Sequence, residues 1–84
     1  MKLENLRKQI DATDEALVSL LAKRMNIVKK IRAVKLQQGL PSLDQNRWQE
    51  VLSSVVLKAK THGLNTDLVR EIWNSINYER IKTS

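Results

Sequence analysis

The chain has 84 residues, no cysteine, and 15 lysines and arginines against 9 acidic residues, a formal net charge of +6. Composition excludes a thiolate metal centre, thiol redox chemistry and a disulfide-built scaffold. No apolar run approaches the ~18 residues that cross a bilayer, and no signal-peptide core follows the start, so a cytoplasmic protein without a membrane partner is expected. The surplus of cations predicts anionic partners but does not choose between a small molecule and nucleic acid.

Leu3, Leu6, Ile10, Leu17, Leu20, Ile27, Ile31 and Val34 form a heptad-like stripe that predicts a helix from Leu3 to about Lys35. At 1.5 Å per residue it would be roughly 50 Å long, against the ~25 Å across a compact globule of this size. One copy cannot cover such a stripe, and a homodimer or higher assembly is expected. Arg24 occupies the stripe position between Leu20 and Ile27, where an unpaired guanidinium is costly. Lys35 follows close to three whole turns later and returns to nearly the same angle. Two cations on an aliphatic wall suit an anionic ligand. The alternative is a buried structural pair of Arg24 with Asp14 or Glu15 of a partner chain. Arg7 lies about 42 Å from Lys35 by rise, so it reaches the same small molecule only across an antiparallel dimer, giving equivalent pockets related by a two-fold axis. Taken alone, Arg7 reads as a solvated surface charge.

Gly39 suits a left-handed cap and Pro41 forbids simple continuation, which ends the first helix. Ser42 and Asp44 offer caps for a second helix running to about Thr61, with Trp48, Val51, Leu52, Val55 and Ala59 on its apolar side. Asp44 and Arg47 share a face. Spacing alone favours an N-cap followed by a surface ion pair, worth at most about 1 kcal/mol, over a pocket rim. His62-Gly63 closes the helix, and no catalytic role is assigned to His62. Asn65 or Thr66 caps a third helix whose core face would be Leu68, Val69, Ile72, Trp73 and Ile76.

The predicted fold is therefore all-α: a single domain over residues 1–84 made of one long helix and two shorter ones, without repeats or linkers. Trp48, Trp73 and Tyr78 fall on or beside apolar faces, which suits core packing better than base stacking. No metal-ligand cluster, Gly-rich phosphate loop or nucleophile elbow is present, and no cofactor is expected. A nucleic-acid binder would spread its cations along a solvent face. Arg24, on the apolar stripe, argues for a pocket instead.

The opening "LRKQIDATDEALVSLLAKRMNIVKKIRAVK", the loop "GLPSLDQNRW" and the closing "HGLNTDLVREIWNSINYERIK" together resemble the all-helical class of chorismate mutases over nearly the whole chain. The opening is the most specific part, matching the family's pattern at Arg7, Ile10-Asp11, Asp14, Leu20-Leu21, Arg24 and Lys35. The resemblance implies an intertwined homodimer of three-helix chains that rearranges chorismate to prephenate, the committed step toward phenylalanine and tyrosine. It implies that Arg24 and the partner subunit's Arg7 clamp the carboxylates, for which the planar guanidinium fork is suited. Lys35 would reach one carboxylate and the ether oxygen, while Asp44 and Arg47 would line the side that receives the ring hydroxyl.

Three substrate-side positions depart from the family pattern. Trp48 replaces a Glu that accepts a hydrogen bond from the ring hydroxyl, and Arg80 and Ser84 stand where the last helix usually offers a Ser and then a Gln. The Gln normally joins the lysine at the ether oxygen, and losing such a donor costs about a hundredfold in rate. The departures allow a weakened mutase, a substitute side chain, or a different substrate. A chorismate mutase is the first expectation. An isochorismate-pyruvate lyase or aminodeoxychorismate mutase on the same fold is the alternative, with a non-catalytic dicarboxylate-binding helical dimer outside the enzymes.

Overall fold

The computed structural model describes residues 2–41 and 44–82, with side chains of the last helix described as far as Glu79. Among the described residues there are three helices and no strand: α1 (Lys2–Gln38), α2 (Gln45–Thr61) and α3 (Thr66–Lys82). The all-α order follows the hydrophobic spacing. The chain divides into two units, Met1–Gln38 and Gly39–Ser84.

The first unit is α1 itself, 37 residues long. Leu36, Gln37 and Gln38 carry it three residues past the expected end, because all three are good helix formers. It stops where Gly39 turns to φ 67, the left-handed geometry that suits glycine. Thr13, in the gap of the stripe between Ile10 and Leu17, donates its hydroxyl to the Gln9 carbonyl at 2.8 Å, so the polar interruption is satisfied within the helix. No residue of α1 is buried. Leu6, Ile10, Leu17 and Leu20 are 54–62% exposed. Each such side chain gains about 1.5–3 kcal/mol when covered, and α1 leaves that gain unrealised along its seam.

The second unit is a helical hairpin. Asp44 opens α2 from extended backbone, its carboxylate accepting the Arg47 amide at 3.1 Å and its carbonyl accepting the Trp48 amide at 3.0 Å. The other expected cap, Ser42, lies outside the described residues. At the far end the Gly63 amide donates to the Lys60 carbonyl at 3.2 Å and the Leu64 amide to the Ala59 carbonyl at 2.8 Å. Gly63 has φ 70. This is a Schellman closure, in which a left-handed residue turns the last carbonyls back on the chain. His62 adds its ring nitrogen, 3.2 Å from the Lys58 carbonyl. Of the two candidate caps for α3, Asn65 does the work: its Oδ1 accepts the amides of Asp67 at 2.8 Å and Leu68 at 3.2 Å.

The short connection makes α2 and α3 antiparallel neighbours. Ala59 and Val69, near the turn, are the buried residues of the pair. Further along, Trp48, Val51, Leu52, Val55 and Val56 face inward half-buried from α2, opposite Trp73, Ile76 and Asn77 of α3. The expected core face of α3 is thereby corrected in part. Val69, Trp73 and Ile76 lie within about 60° of one another, whereas Leu68 sits about 100° round from Val69. Leu68 and Ile72 accordingly remain 49% and 44% exposed.

The caps give a direct test by urea denaturation at fixed protein concentration. A Cβ on Gly63 would meet no atom within 4 Å, so Gly63→Ala isolates the left-handed backbone penalty and is expected to cost about 1–2 kcal/mol. Asn65→Ala and Asp44→Ala should each cost about 1 kcal/mol, and Asp44→Asn almost nothing, since asparagine caps equally well.

Candidate active site

On α1, Arg24, Val28, Ile31 and Lys35 fall within about 60° of arc. Arg24, Val28 and Lys35 are half-buried. The two cations bracket an aliphatic floor about 17 Å long by rise, a gap that long side chains reaching toward each other can close around a small molecule. Met25 and Arg32 are also half-buried, so the least exposed face of α1 carries Arg24, Arg32 and Lys35 together. The apolar stripe gives no hint of Arg32, which falls outside it; the spacing from Arg24, eight residues on, is the signal that identifies it. Arg7 is exposed and lies about 26 Å from Arg24 by rise. Within one straight helix the two cannot meet.

Charge is unevenly divided along this helix. Residues 1–15 hold Glu4, Asp11, Asp14 and Glu15 against Lys2, Arg7 and Lys8, whereas residues 16–43 hold Lys23, Arg24, Lys29, Lys30, Arg32 and Lys35 and no acid.

On the hairpin, the Asp44 carboxylate is committed to the Arg47 backbone amide, and the Arg47 guanidinium turns forward to Glu50 at 3.4 Å. The surface pair expected between Asp44 and Arg47 is therefore replaced by one between Arg47 and Glu50, one turn further along the same face. Both partners are 68% exposed. A pair this open is worth about 0.5 kcal/mol or less, so Arg47 can exchange Glu50 for another carboxylate at small cost. Trp48 is half-buried on the inner side of α2, consistent with packing. Arg80 lies on α3, but its side chain is outside the described residues, as is all of Ser84.

One polar group was not foreseen from the sequence. Asn77 continues the inner stripe of Val69, Trp73 and Ile76, and its Oδ1 is buried without a hydrogen-bond partner. An amide at an apolar position of the α3 stripe is the same kind of signal as Arg24 on α1.

Among the described residues no group of three His, Cys, Asp or Glu is placed to hold a metal ion, and no helix is long and apolar enough to cross a membrane. Half-buried cations over an aliphatic floor on α1 can bind and orient an anion; they do not make a nucleophile and base pair.

The family model described as chorismate mutase type II matches residues 6–82. A T-protein of Haemophilus influenzae is 36% identical over 70 residues, 83% of this chain but 19% of that protein. A chorismate mutase of Methanocaldococcus jannaschii is 28% identical over 67 residues, 80% of this chain and 68% of the relative. A bifunctional chorismate mutase/prephenate dehydratase of Escherichia coli is 28% identical over 78 residues, 93% of this chain and 20% of the relative. The chain thus spans about a fifth of the length of the T-proteins it matches. No solved structure matches it with comparable significance. With a family match over almost its entire length and the three-helix order that the resemblance implies, the chain belongs to the chorismate mutase type II family.

Proposed function

We propose that this chain rearranges chorismate to prephenate. The observation that carries the reading is Arg24 and Lys35, both half-buried and aligned on one face of α1 across Val28 and Ile31. The reaction is unimolecular: the ether C–O bond breaks as a C–C bond forms, and no atom enters or leaves. The site must hold a dicarboxylate in its folded conformer and stabilise negative charge growing on the ether oxygen. Fixed cations do both. Arg24 and the partner subunit's Arg7 take the carboxylates, Lys35 serves one carboxylate and the ether oxygen, and Asp44 and Arg47 attend the ring hydroxyl. Trp48, Arg80 and Ser84 complete the substrate side in place of the family's usual Glu, Ser and Gln. The relative named chorismate mutase supports assigning the activity to a helical segment of this size, because the match spans 68% of it.

The working unit in this reading is a homodimer with antiparallel α1 helices, in the cytoplasm. Its support is the uncovered seam of α1 and the charge division along it. Antiparallel pairing sets the Asp11, Asp14 and Glu15 cluster of one chain beside the basic 23–35 stretch of the other and carries Arg7 the same way, whereas parallel pairing sets like charges together. An isochorismate-pyruvate lyase is the second reading, favoured by Trp48, since related lyases also lack the Glu at that place. The substrate is a small dicarboxylate in either case.

Assay of the purified protein with chorismate, isochorismate and aminodeoxychorismate should yield prephenate from the first; turnover of isochorismate alone would overturn the assignment. Arg24→Ala is expected to lower turnover by about a thousandfold or more and to abolish dicarboxylate binding while the far-ultraviolet circular dichroism stays the same. Sedimentation should give a dimer, and a monomer that retains full activity would refute the shared site.

A further inference from the structure

We infer that Arg32 is a further substrate-binding residue, its guanidinium gripping the same substrate carboxylate that Lys35 serves; this rests on the proposed reaction on chorismate. Among the described residues of α1, the ones that are not fully exposed are Arg24, Met25, Val28, Arg32 and Lys35, and they fall together within about 100° of arc. Three of these carry a positive charge, while Leu3, Leu6, Ile10, Leu17 and Leu20 of the same helix are 54–62% exposed. Side chains ordinarily sort the other way, with apolar groups shielded and guanidinium groups in water. Half-burial holds the stem of Arg32 while its charged end stays within reach of a ligand.

Position along the helix agrees with a ligand role. Arg24 and Lys35 stand about 17 Å apart by rise, a wide span for one small molecule. Arg32 lies inside that span, one turn from Val28 and one turn from Lys35, within about 40° and 60° of them in angle. Long side chains on a helix lean toward its N-terminus, so Arg32 covers the turn that holds Val28, and Lys35 the turn that holds Ile31 and Arg32. These two cations therefore converge on the same half of the aliphatic floor, whereas Arg24 stands about 12 Å from Arg32 by rise. The carboxylate within reach of Arg32 is the one at the Lys35 end.

The chemistry favours a carboxylate shared by unlike cations. An ammonium is a point charge that attracts a carboxylate without fixing its plane, whereas a guanidinium takes both oxygens in a planar fork. Arg32 thus supplies the orientation that Lys35 alone does not. Like charges one turn apart on a helix repel each other, and an anion held between Arg32 and Lys35 offsets that repulsion. Such a contact exists before and during the rearrangement, because the carboxylate itself does not react, so its loss falls chiefly on KM.

The test is steady-state kinetics on chorismate with the wild-type protein, Arg32→Gln, Arg32→Lys and, as a control for charge alone, Lys30→Gln. Lys30 is exposed and lies about 160° round the helix from Arg32. Arg32→Gln should raise KM about tenfold or more and lower kcat far less. Arg32→Lys, which keeps the charge but not the fork, should fall between it and wild type. Lys30→Gln should leave KM within about twofold of wild type. An unchanged KM in Arg32→Gln, with or without a lower melting temperature, overturns the assignment and marks Arg32 as structural or idle; an equal rise in Lys30→Gln overturns it by showing only the bulk field of the helix. Should Arg32→Gln fail to fold, Arg32→Lys decides, and a KM equal to wild type in that variant overturns the fork. Absence of wild-type turnover on chorismate would instead remove the functional reading, and this inference with it.

Discussion

An apolar seam that its own helix cannot bury is the constraint on which this protein depends. α1 is long, regular and well terminated, but Leu3, Leu6, Ile10, Leu17 and Leu20 along it stay more than half exposed. Helix propensity alone does not stabilise such an element in water; most helical stability comes from packing an amphipathic face. In the proposed homodimer a second copy covers this seam, and the unequal distribution of acids and cations along the same helix favours an antiparallel pairing.

The same helix carries the cations of the proposed site, with Arg24 and Lys35 at the edge of the apolar stripe. Arg24, Arg32 and Lys35 are half-buried on one side of α1, and in the proposed reaction a doubly negative substrate is the complement of such a group of cations. A pericyclic rearrangement asks for little else. It needs neither a nucleophile nor a proton shuttle, only a cavity that prefers the compact, charge-shifted form of one molecule. On the hairpin, the solvent-exposed pair of Arg47 with Glu50 costs little to redirect.

Much of this was legible in the sequence because it rests on period and punctuation. The stripe located α1, Gly39 and Gly63 marked two helix ends, and Asp44 and Asn65 act as caps through side-chain oxygens that few other residues supply. The inner face of α3 was read too broadly, since Leu68 and Ile72 satisfy helical spacing as well as Val69 and Trp73 do. Periodicity identifies an apolar arc, and only packing against α2 decides which edge of that arc is covered. Arg47 was paired with the wrong acid because one-turn spacing cannot tell that Asp44 is already engaged by a backbone amide. Asn77 was missed for a related reason: a polar residue near a helix end reads as surface until its neighbours are known.

The closure around Gly63 also bears on the order in which the molecule assembles. Every bond in that turn joins residues within five positions of one another, and Asn65 starts the next helix immediately afterwards. Loop-closing entropy is small for such contacts, and structures rich in them form on the microsecond-to-millisecond scale. In the proposed homodimer the α2–α3 hairpin is thus poised to form before α1 meets a second copy. Folding of the hairpin is first order in chain, whereas covering the seam by a second copy would be second order, so in that assembly dilution would slow maturation at the encounter step.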